Sequence, residues 1–531
     1  MARLHLLSLC VIGVGLLYES TTFQLASSAE EDDDQLFGDK YQIKEFNRGS
    51  FPPGFVFGSA SSAYQVEGAW NSDGKGPSNW DVFTHTKPDM IQDRKSGDVA
   101  ADSYHLYKED VALLKKMNMD AYRFSISWTR LLPRGRISGG INERGIEYYN
   151  KLIDHLIANG LKPVVTLFHW DTPQSLEDEY GGFLGQKIID DFREYANLCF
   201  QRYGDRVKDW ITLNEPFSYA VGGYDSGYSP PNHCSVWKNQ NCKGGDSGTE
   251  PYRVMHNMIL AHANAVKVYK TKYQAHQKGK VGMSIVSGWA VPFSNSLADR
   301  NATYRALDFQ IGWNLWPLVY GEYPNSMQML VGKRLPKFTK EESDIVKGSF
   351  DFVGLNYYTA NYVKGSTNHN SNTNASFSTD ARADSLVERQ GKLIGPEAGS
   401  SWLHFYPRGL RDMLLYVKHK FNNPVIYITE NGVDEKDDPS VPLETALRDY
   451  SRIKYYYWHL KYLHIAIREG VKVKGYFGWA ALDNFEWNSG YTVRFGLNYV
   501  DYRNGNKRYP KLSARWFSRF LSRPTIHEPH H

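Results

Sequence analysis

Eight short, nearly continuous apolar runs punctuate the chain, at residues 55–60, 121–128, 163–170, 210–214, 281–286, 350–356, 425–429 and 473–479. A run without polar alternation is what a strand buried on both faces requires, as in a parallel sheet covered by helices. Between these runs apolar positions recur at helical spacing, over residues 109–117, 148–159, 188–203, 253–273, 408–420 and 448–469. The first of them opens with Glu109 and Asp110 and closes with Lys115 and Lys116, the charge order a helix dipole favours. Strands alternating with helices eight times predict an α/β fold, a single (β/α)8 TIM barrel with long βα loops. A doubly wound open sheet is the alternative, and it lacks support because no Gly-x-Gly-x-x-Gly turn follows the first strand. No repeat or linker marks a second domain. The polar stretch 365–374 reads as a surface loop, since strand and helix patterns resume beyond it.

The ends of the chain have a different character. Arg3 and His5 precede an apolar run at 6–17 and small residues around Ala26, Ser28 and Ala29, the layout of a secretory signal. The run is too short to span a membrane, and no later stretch reaches the ~20 apolar residues a spanning helix needs. The expected organisation is therefore a signal peptide at 1–29, an acidic flexible segment at 30–45, a catalytic barrel at 46–523 and a tail at 524–531. Secretory targeting implies an extracellular or vacuolar destination without choosing between them. It also permits a disulfide between Cys234 and Cys242, close together in a Pro/Asn/Gly-rich loop, whereas Cys199 lies on a helical pattern and reads as a buried thiol. Asn301 and Asn374 each open a glycosylation sequon.

Composition narrows the function classes. With 41% hydrophobic and 23% charged residues the chain has ample material for a core. A net charge of +4, with no Lys/Arg block, gives no footprint for nucleic acid. No cluster of His, Cys or Asp has metal-ligand spacing, so neither a metal nor a cofactor is expected. The aromatic content is high, at 14% with 14 Trp and 36 Tyr. Aromatic faces stack on the C–H faces of sugars but also fill cores, and composition does not choose between these uses.

Active sites of (β/α)8 barrels lie where the strands end at their C-terminal side. The fourth run ends Thr212-Leu-Asn-Glu-Pro216 and the seventh Ile428-Thr-Glu-Asn-Gly432. Each places a glutamate directly after an apolar run, where a charge needs a partner or a task. One such glutamate is ordinary; two, on strands four and seven, suit glycosidic cleavage, which needs one carboxyl to protonate the leaving oxygen and another to attack or to activate water. Arg123, in the middle of the second run, needs an anion and is matched to Glu430, which it would keep ionised.

These motifs closely resemble the acid/base and nucleophile motifs of glycoside hydrolase family 1. The resemblance extends from Phe55-Val-Phe-Gly-Ser-Ala-Ser-Ser-Ala-Tyr-Gln-Val-Glu-Gly68 to Gly490-Tyr-Thr-Val-Arg-Phe-Gly-Leu497 and is strongest to plant β-glucosidases, including those acting on cyanogenic and other defence glycosides. It implies a retaining mechanism, with Glu215 as acid/base and Glu430 as nucleophile. Gln65, His169, Asn214 and Glu486 fall at positions that bind glucose hydroxyls, and Trp479 and Trp487 at stacking or hydrogen-bonding positions. Asn356 and Tyr358 resemble the residues that bond the two glutamates, and Trp402 an aglycone-site tryptophan, with a core role as its alternative. Myrosinases of the family carry glutamine where this chain has Glu215, so an acid suited to O-linked leaving groups is retained.

Asn488 stands where many relatives have a bulky apolar residue near the glucose 6-position. A shorter side chain there implies some tolerance of 6-O-linked disaccharide glycosides. Rival readings are a non-catalytic sugar-binding or storage barrel, an inverting hydrolase, and a transglucosidase in which an alcohol replaces water. The expected partner is a small glycoside; neither the aglycone nor the oligomeric state is legible.

Overall fold

The computed structural model describes residues 45–366 and 374–522, all within the compact unit Ile43–His531. The expected signal peptide at 1–29, the acidic segment apart from Glu45, and the tail at 524–531 lie outside the described residues. Eight parallel strands form a closed barrel: β1 Val56–Ala60, β2 Ala121–Ser125, β3 Lys162–Phe168, β4 Asp209–Asn214, β5 Lys280–Val286, β6 Phe352–Asn356, β7 Ile426–Asn431 and β8 Val473–Trp479. Each pairs with its neighbours in sequence, and β1 closes on β8 from Val56↔Gly475 to Ala60↔Trp479. Main helices follow the strands: α1 Ser103–Lys116, α2 Glu143–Ala158, α3 Ile188–Tyr203, α4 Glu250–Val268, α5 Trp313–Tyr320, α6 Pro407–Lys420, α7 Tyr450–Arg468 and α8 Leu512–Phe520.

The apolar runs locate every barrel strand, most starts shift by one or two residues, and three C-terminal ends differ from the sequence reading. β2 stops at Ser125, and Trp128–Leu131 form a short helix. β3 stops at Phe168, leaving His169 and Trp170 beyond the ladder. β7 continues through Asn431, so Glu430 lies within the strand and not after it. Hydrophobicity alone hides this last point, because the strand becomes polar where it enters the barrel mouth. The registers of β4 against β5 and of β7 against β6 both slip at these ends, between Ile211 and Asn214 and between Ile428 and Glu430. Such irregularities turn side chains off the regular pleat.

The aromatics are divided between the core and the barrel mouth. Phe46, Phe51, Phe55, Phe57 and Phe520 interlock around the start of β1, and Trp128 stacks on Tyr195 with centroids 4.8 Å apart. Trp80, Trp128, Trp210, Trp313 and Trp516 are fully buried. Other tryptophans line the barrel mouth.

The long loop after β8 is fixed from below by buried charge. Asp483 accepts from Lys511 Nζ at 2.7 Å and from Arg494 Nη1 at 2.6 Å. Burial works to raise the Asp483 pKa, but these two cations hold it below the usual carboxylate range. Cys234 and Cys242 are joined as a disulfide with Cα atoms 5.5 Å apart, and Cys199 is a buried free thiol. Asn301 is exposed on the helix Leu297–Leu307, and Asn374 is exposed at the edge of a loop.

Gly432 follows β7 because β8 leaves no room for more. A Cβ at this position would meet the Trp479 carbonyl oxygen at 1.9 Å, a backbone atom that cannot swing aside. Gly432→Ala is expected to destabilise the barrel by about 1–3 kcal/mol, the range for overpacking. A lowered thermal-unfolding midpoint is the check; an unchanged midpoint would refute the steric argument.

Candidate active site

The C-terminal ends of the strands open into a cavity of about 570 Å3. Its volume is that of a small-molecule site. Glu215 and Glu430 both line it, with His169, Asn214, Tyr358, Trp402, Trp479, Glu486 and Trp487. Gln65, Arg123 and Asn356 are buried and do not line it. They stand directly behind residues that do.

Arg123 is the hub. From β2, its Nη1 lies 2.5 Å from Glu430 Oε1 and also donates to the Thr429 carbonyl on β7. Its Nη2 donates to Asn214 Oδ1 at 2.6 Å on β4, and its Nε to Thr166 Oγ1 on β3. The guanidinium is fully buried, so these bonds replace its water. The other Glu430 oxygen, Oε2, accepts from Tyr358 Oη at 2.7 Å. Burial first, then the charges of Glu430 and Glu215, push the Tyr358 phenol well above its ordinary range, so it remains a donor.

Glu215 is held differently. Its oxygens accept from neutral donors, Asn356 Nδ2 at 2.7 Å and Ser218 Oγ at 2.7 Å. Burial and the neighbouring Glu430 charge raise its pKa to about 7. Two carboxyls in one cavity thus have opposite surroundings, one paired with a cation and one titrating near neutrality. Asn356 is fixed in turn: its Oδ1 accepts from Thr429 Oγ1 at 2.7 Å, and Thr429 is bonded to Ser284. β4, β5, β6 and β7 therefore share one chain of hydrogen bonds.

Backbone strain concentrates here as well. Trp170, Glu215 and Trp487 have φ of 75°, 45° and 50°. This left-handed region is unusual for bulky side chains and costs of order 1–3 kcal/mol per residue. Pro216 does not simply end β4: it is the first residue of the helix Pro216–Tyr224, where its missing N–H costs nothing.

The rest of the lining mixes polar and aromatic side chains. His169 accepts from Asn214 Nδ2 at Nε2, 3.1 Å away. Burial and the Arg123 charge push its pKa well below the ordinary histidine value, so the ring is neutral. Its Nδ1 finds no partner among the described residues. Glu486 is raised well above the carboxylate range by burial and by Asp434, Glu430 and Glu215. Gln65 Nε2 reaches Asn484 Oδ1, the Phe485 carbonyl and, at 3.4 Å, Glu486 Oε2. Gln65 therefore supports Glu486 from behind the cavity wall. Trp479 and Trp487 both lie nearly parallel to His169, with centroids 5.8 and 6.0 Å away. Trp402 is 50% exposed, which removes the core reading of that residue, and its ring meets the edge of Tyr358. The loop bearing it is tied to Asp434 through Ser400.

Sequence reasoning missed Ser218, Thr429, Thr166 and the cavity residues Phe217, Tyr228 and Gln310. Ser218 had a signal, the i,i+3 spacing from Glu215 at a helix start. Tyr228 had none, because it sits on a loop. Among the described residues, no group of three His, Cys, Asp or Glu side chains is placed to hold a metal, and no helix is long and apolar enough to cross a membrane.

Residues 47–525 match the family model described as glycosyl hydrolase family 1. Beta-glucosidase 12 of Oryza sativa subsp. indica is 58% identical over 475 residues, 90% of this chain and 93% of the relative. An isoflavonoid 7-O-beta-apiosyl-glucoside beta-glycosidase of Dalbergia nigrescens is 56% identical over 482 residues, 91% of this chain and 87% of the relative. A rice β-glucosidase mutant, crystallised in a covalent complex with Glc, superposes with a TM-score of 0.89 at 49% identity, covering 90% of this chain and 100% of that one.

The electrostatic coupling of the two acids has a direct check. Replacing Glu430 by Gln removes the like charge that helps to raise Glu215, so the pKa of Glu215 should fall below about 7. Carbon-13 NMR of labelled glutamate side chains across pH reads this; a value unchanged or raised in Glu430→Gln would contradict the coupling.

Proposed function

The chain belongs to glycosyl hydrolase family 1, and on that premise we propose that it cleaves plant β-glucosides by double displacement, with Glu430 as nucleophile and Glu215 as acid/base. The observation that carries this reading is the contrast between the two carboxyls: Glu430 is paired with Arg123, and Glu215 is held near neutrality with a pKa of about 7. A nucleophile must be ionised, and an acid must begin protonated.

In the first step a Glu430 oxygen attacks the anomeric carbon, and the Glu215 proton passes to the departing oxygen. The glycosidic C–O bond breaks as the carboxylate–carbon bond forms. Tyr358, bonded to Oε2, restrains that oxygen before attack and can follow the charge as it moves. Once Glu430 is an ester its charge is gone, and the influence that helps to raise Glu215 weakens. Glu215 then accepts a proton from water, which attacks the same carbon and releases the sugar with its configuration retained. The covalent Glc complex of the related rice enzyme supports such an intermediate.

The glucose end is assigned to the polar wall. His169 offers Nδ1–H, Glu486 a carboxyl, and Asn214 and Gln65 brace them, while Trp479 and Trp487 supply flat faces. Trp402, half-exposed beside Tyr358, is assigned to the leaving group. Cleavage of a 6-O-linked disaccharide glycoside is the second reading, supported by the name of the Dalbergia nigrescens relative and by the short Asn488 side chain. We also propose the secretory route for this chain, in keeping with its disulfide and its N-terminal pattern.

Three outcomes test the mechanism. Proton NMR of the first product should show β-glucose ahead of mutarotation; α-glucose would mean inversion. Glu215→Gln should lower kcat/KM by about 10²–10⁴-fold for a poor alkyl leaving group and much less for 2,4-dinitrophenyl glucoside, which needs no proton. Because the acid form of Glu215 is the active one, kcat/KM should decline as pH rises through about 7. A flat profile from pH 6 to 9, a range bracketing that value, would refute the assignment.

A further inference from the structure

Asn488 is short, but its bonding gives it another task. It lies in the tight turn Trp487–Ser489, directly after Glu486. Its Nδ2 donates to the Met90 carbonyl at 3.0 Å, in the loop after β1, and to the Tyr228 carbonyl at 2.5 Å, in the loop after β4. A carboxamide nitrogen has two hydrogens, and both are used. The Asn488 carbonyl meanwhile accepts from Gln92 N at 2.8 Å.

The two loops depend on this bond unequally. The loop after β1 is joined to the loop after β8 at several further points, including Asp93 Oδ2 to Tyr491 N at 2.9 Å and Gln92 to Thr492. The stretch around Tyr228 bonds largely within its own segment, Ser229 N to the Gly222 carbonyl, Asn232 N to the Ser229 carbonyl and Asn232 Nδ2 to the Gly227 carbonyl, and its further tie to the loop after β1 is Lys87 Nζ donating to Asn232 Oδ1, four residues beyond Tyr228. The Tyr228 ring lines the cavity and sits over Gly222, where a Cβ would lie 3.0 Å from the phenol oxygen. It is within electrostatic reach of Glu215, the residue that under the proposed function protonates the leaving group.

We propose that Asn488 is a positioning residue that sets leaving-group affinity by pinning the Tyr228 wall of the cavity through its carboxamide. Its donors hold two loops in place, and Tyr228 is the group that meets the substrate. This rests on the β-glucosidase reading for its kinetic consequence but not for its structural one.

The test therefore has two arms on the full chain. In hydrogen exchange, Asn488→Ala should speed exchange across residues 226–232 and leave the barrel strands unchanged. In kinetics with 4-nitrophenyl β-glucoside, Asn488→Ala should raise KM about tenfold with little change in kcat, the signature of lost binding common to ground and transition states. Tyr228→Ala keeps the carbonyl but removes the ring, and should raise KM similarly. The double variant should be no worse than either single, because both remove the same wall. Asn488→Asp, of equal size but without the donors, should reproduce Asn488→Ala and serves if that variant folds poorly. Unchanged exchange at 226–232, or single effects that multiply in the double variant, would overturn the proposal. Absence of turnover by the unmodified enzyme would sink the β-glucosidase reading alone and leave the exchange arm standing.

Discussion

The buried ion pair between Arg123 and Glu430 is the interaction on which the rest of the molecule turns. Both members are almost wholly withdrawn from solvent. Removing either would strand the other as a buried charge, at a cost of about 3–5 kcal/mol. The same guanidinium also reaches β3, β4 and the β7 backbone. The barrel mouth is therefore drawn together by the group that pairs with Glu430, the nucleophile we propose.

Around this fixed point the two acids are separated by environment, not by residue type. Glu430 faces a cation and a phenol; Glu215 faces an amide, a hydroxyl and the charge of Glu430. Asn214 links the two halves, accepting from both Arg123 and Asn356. A change in the charge of one glutamate is thus felt by the other through a short, rigid path. That is what a mechanism using one residue first as acid and then as base requires.

The walls of the cavity come from long loops, several of them fastened by a polar anchor. Asp483, with Lys511 and Arg494, secures the loop carrying Glu486 and Trp487. Asp434 holds the loop carrying Trp402 through Ser400. Asn488 joins the loops after β1, β4 and β8. Such anchors let loops supply precise geometry, which loops otherwise lack.

The order of apolar runs and helical stretches determined the barrel, because strands buried on both faces must be continuously hydrophobic and a parallel sheet needs helices between them. The two glutamates were legible for a related reason: a charge placed where such a run stops is out of place unless it has work to do. The tertiary structure alone decided what touches what. That Glu430 lies inside its strand, that Gln65 stands behind Glu486, and that Trp402 is half-exposed all depend on register and loop path. The partners of Glu215 include Asn356, 141 residues away, and Tyr228 enters the cavity from a loop with no pattern of its own. Hydrophobic periodicity is set by local burial and can be read along the chain. Hydrogen bonds between distant polar groups exist only once the closed barrel has brought its strand ends together.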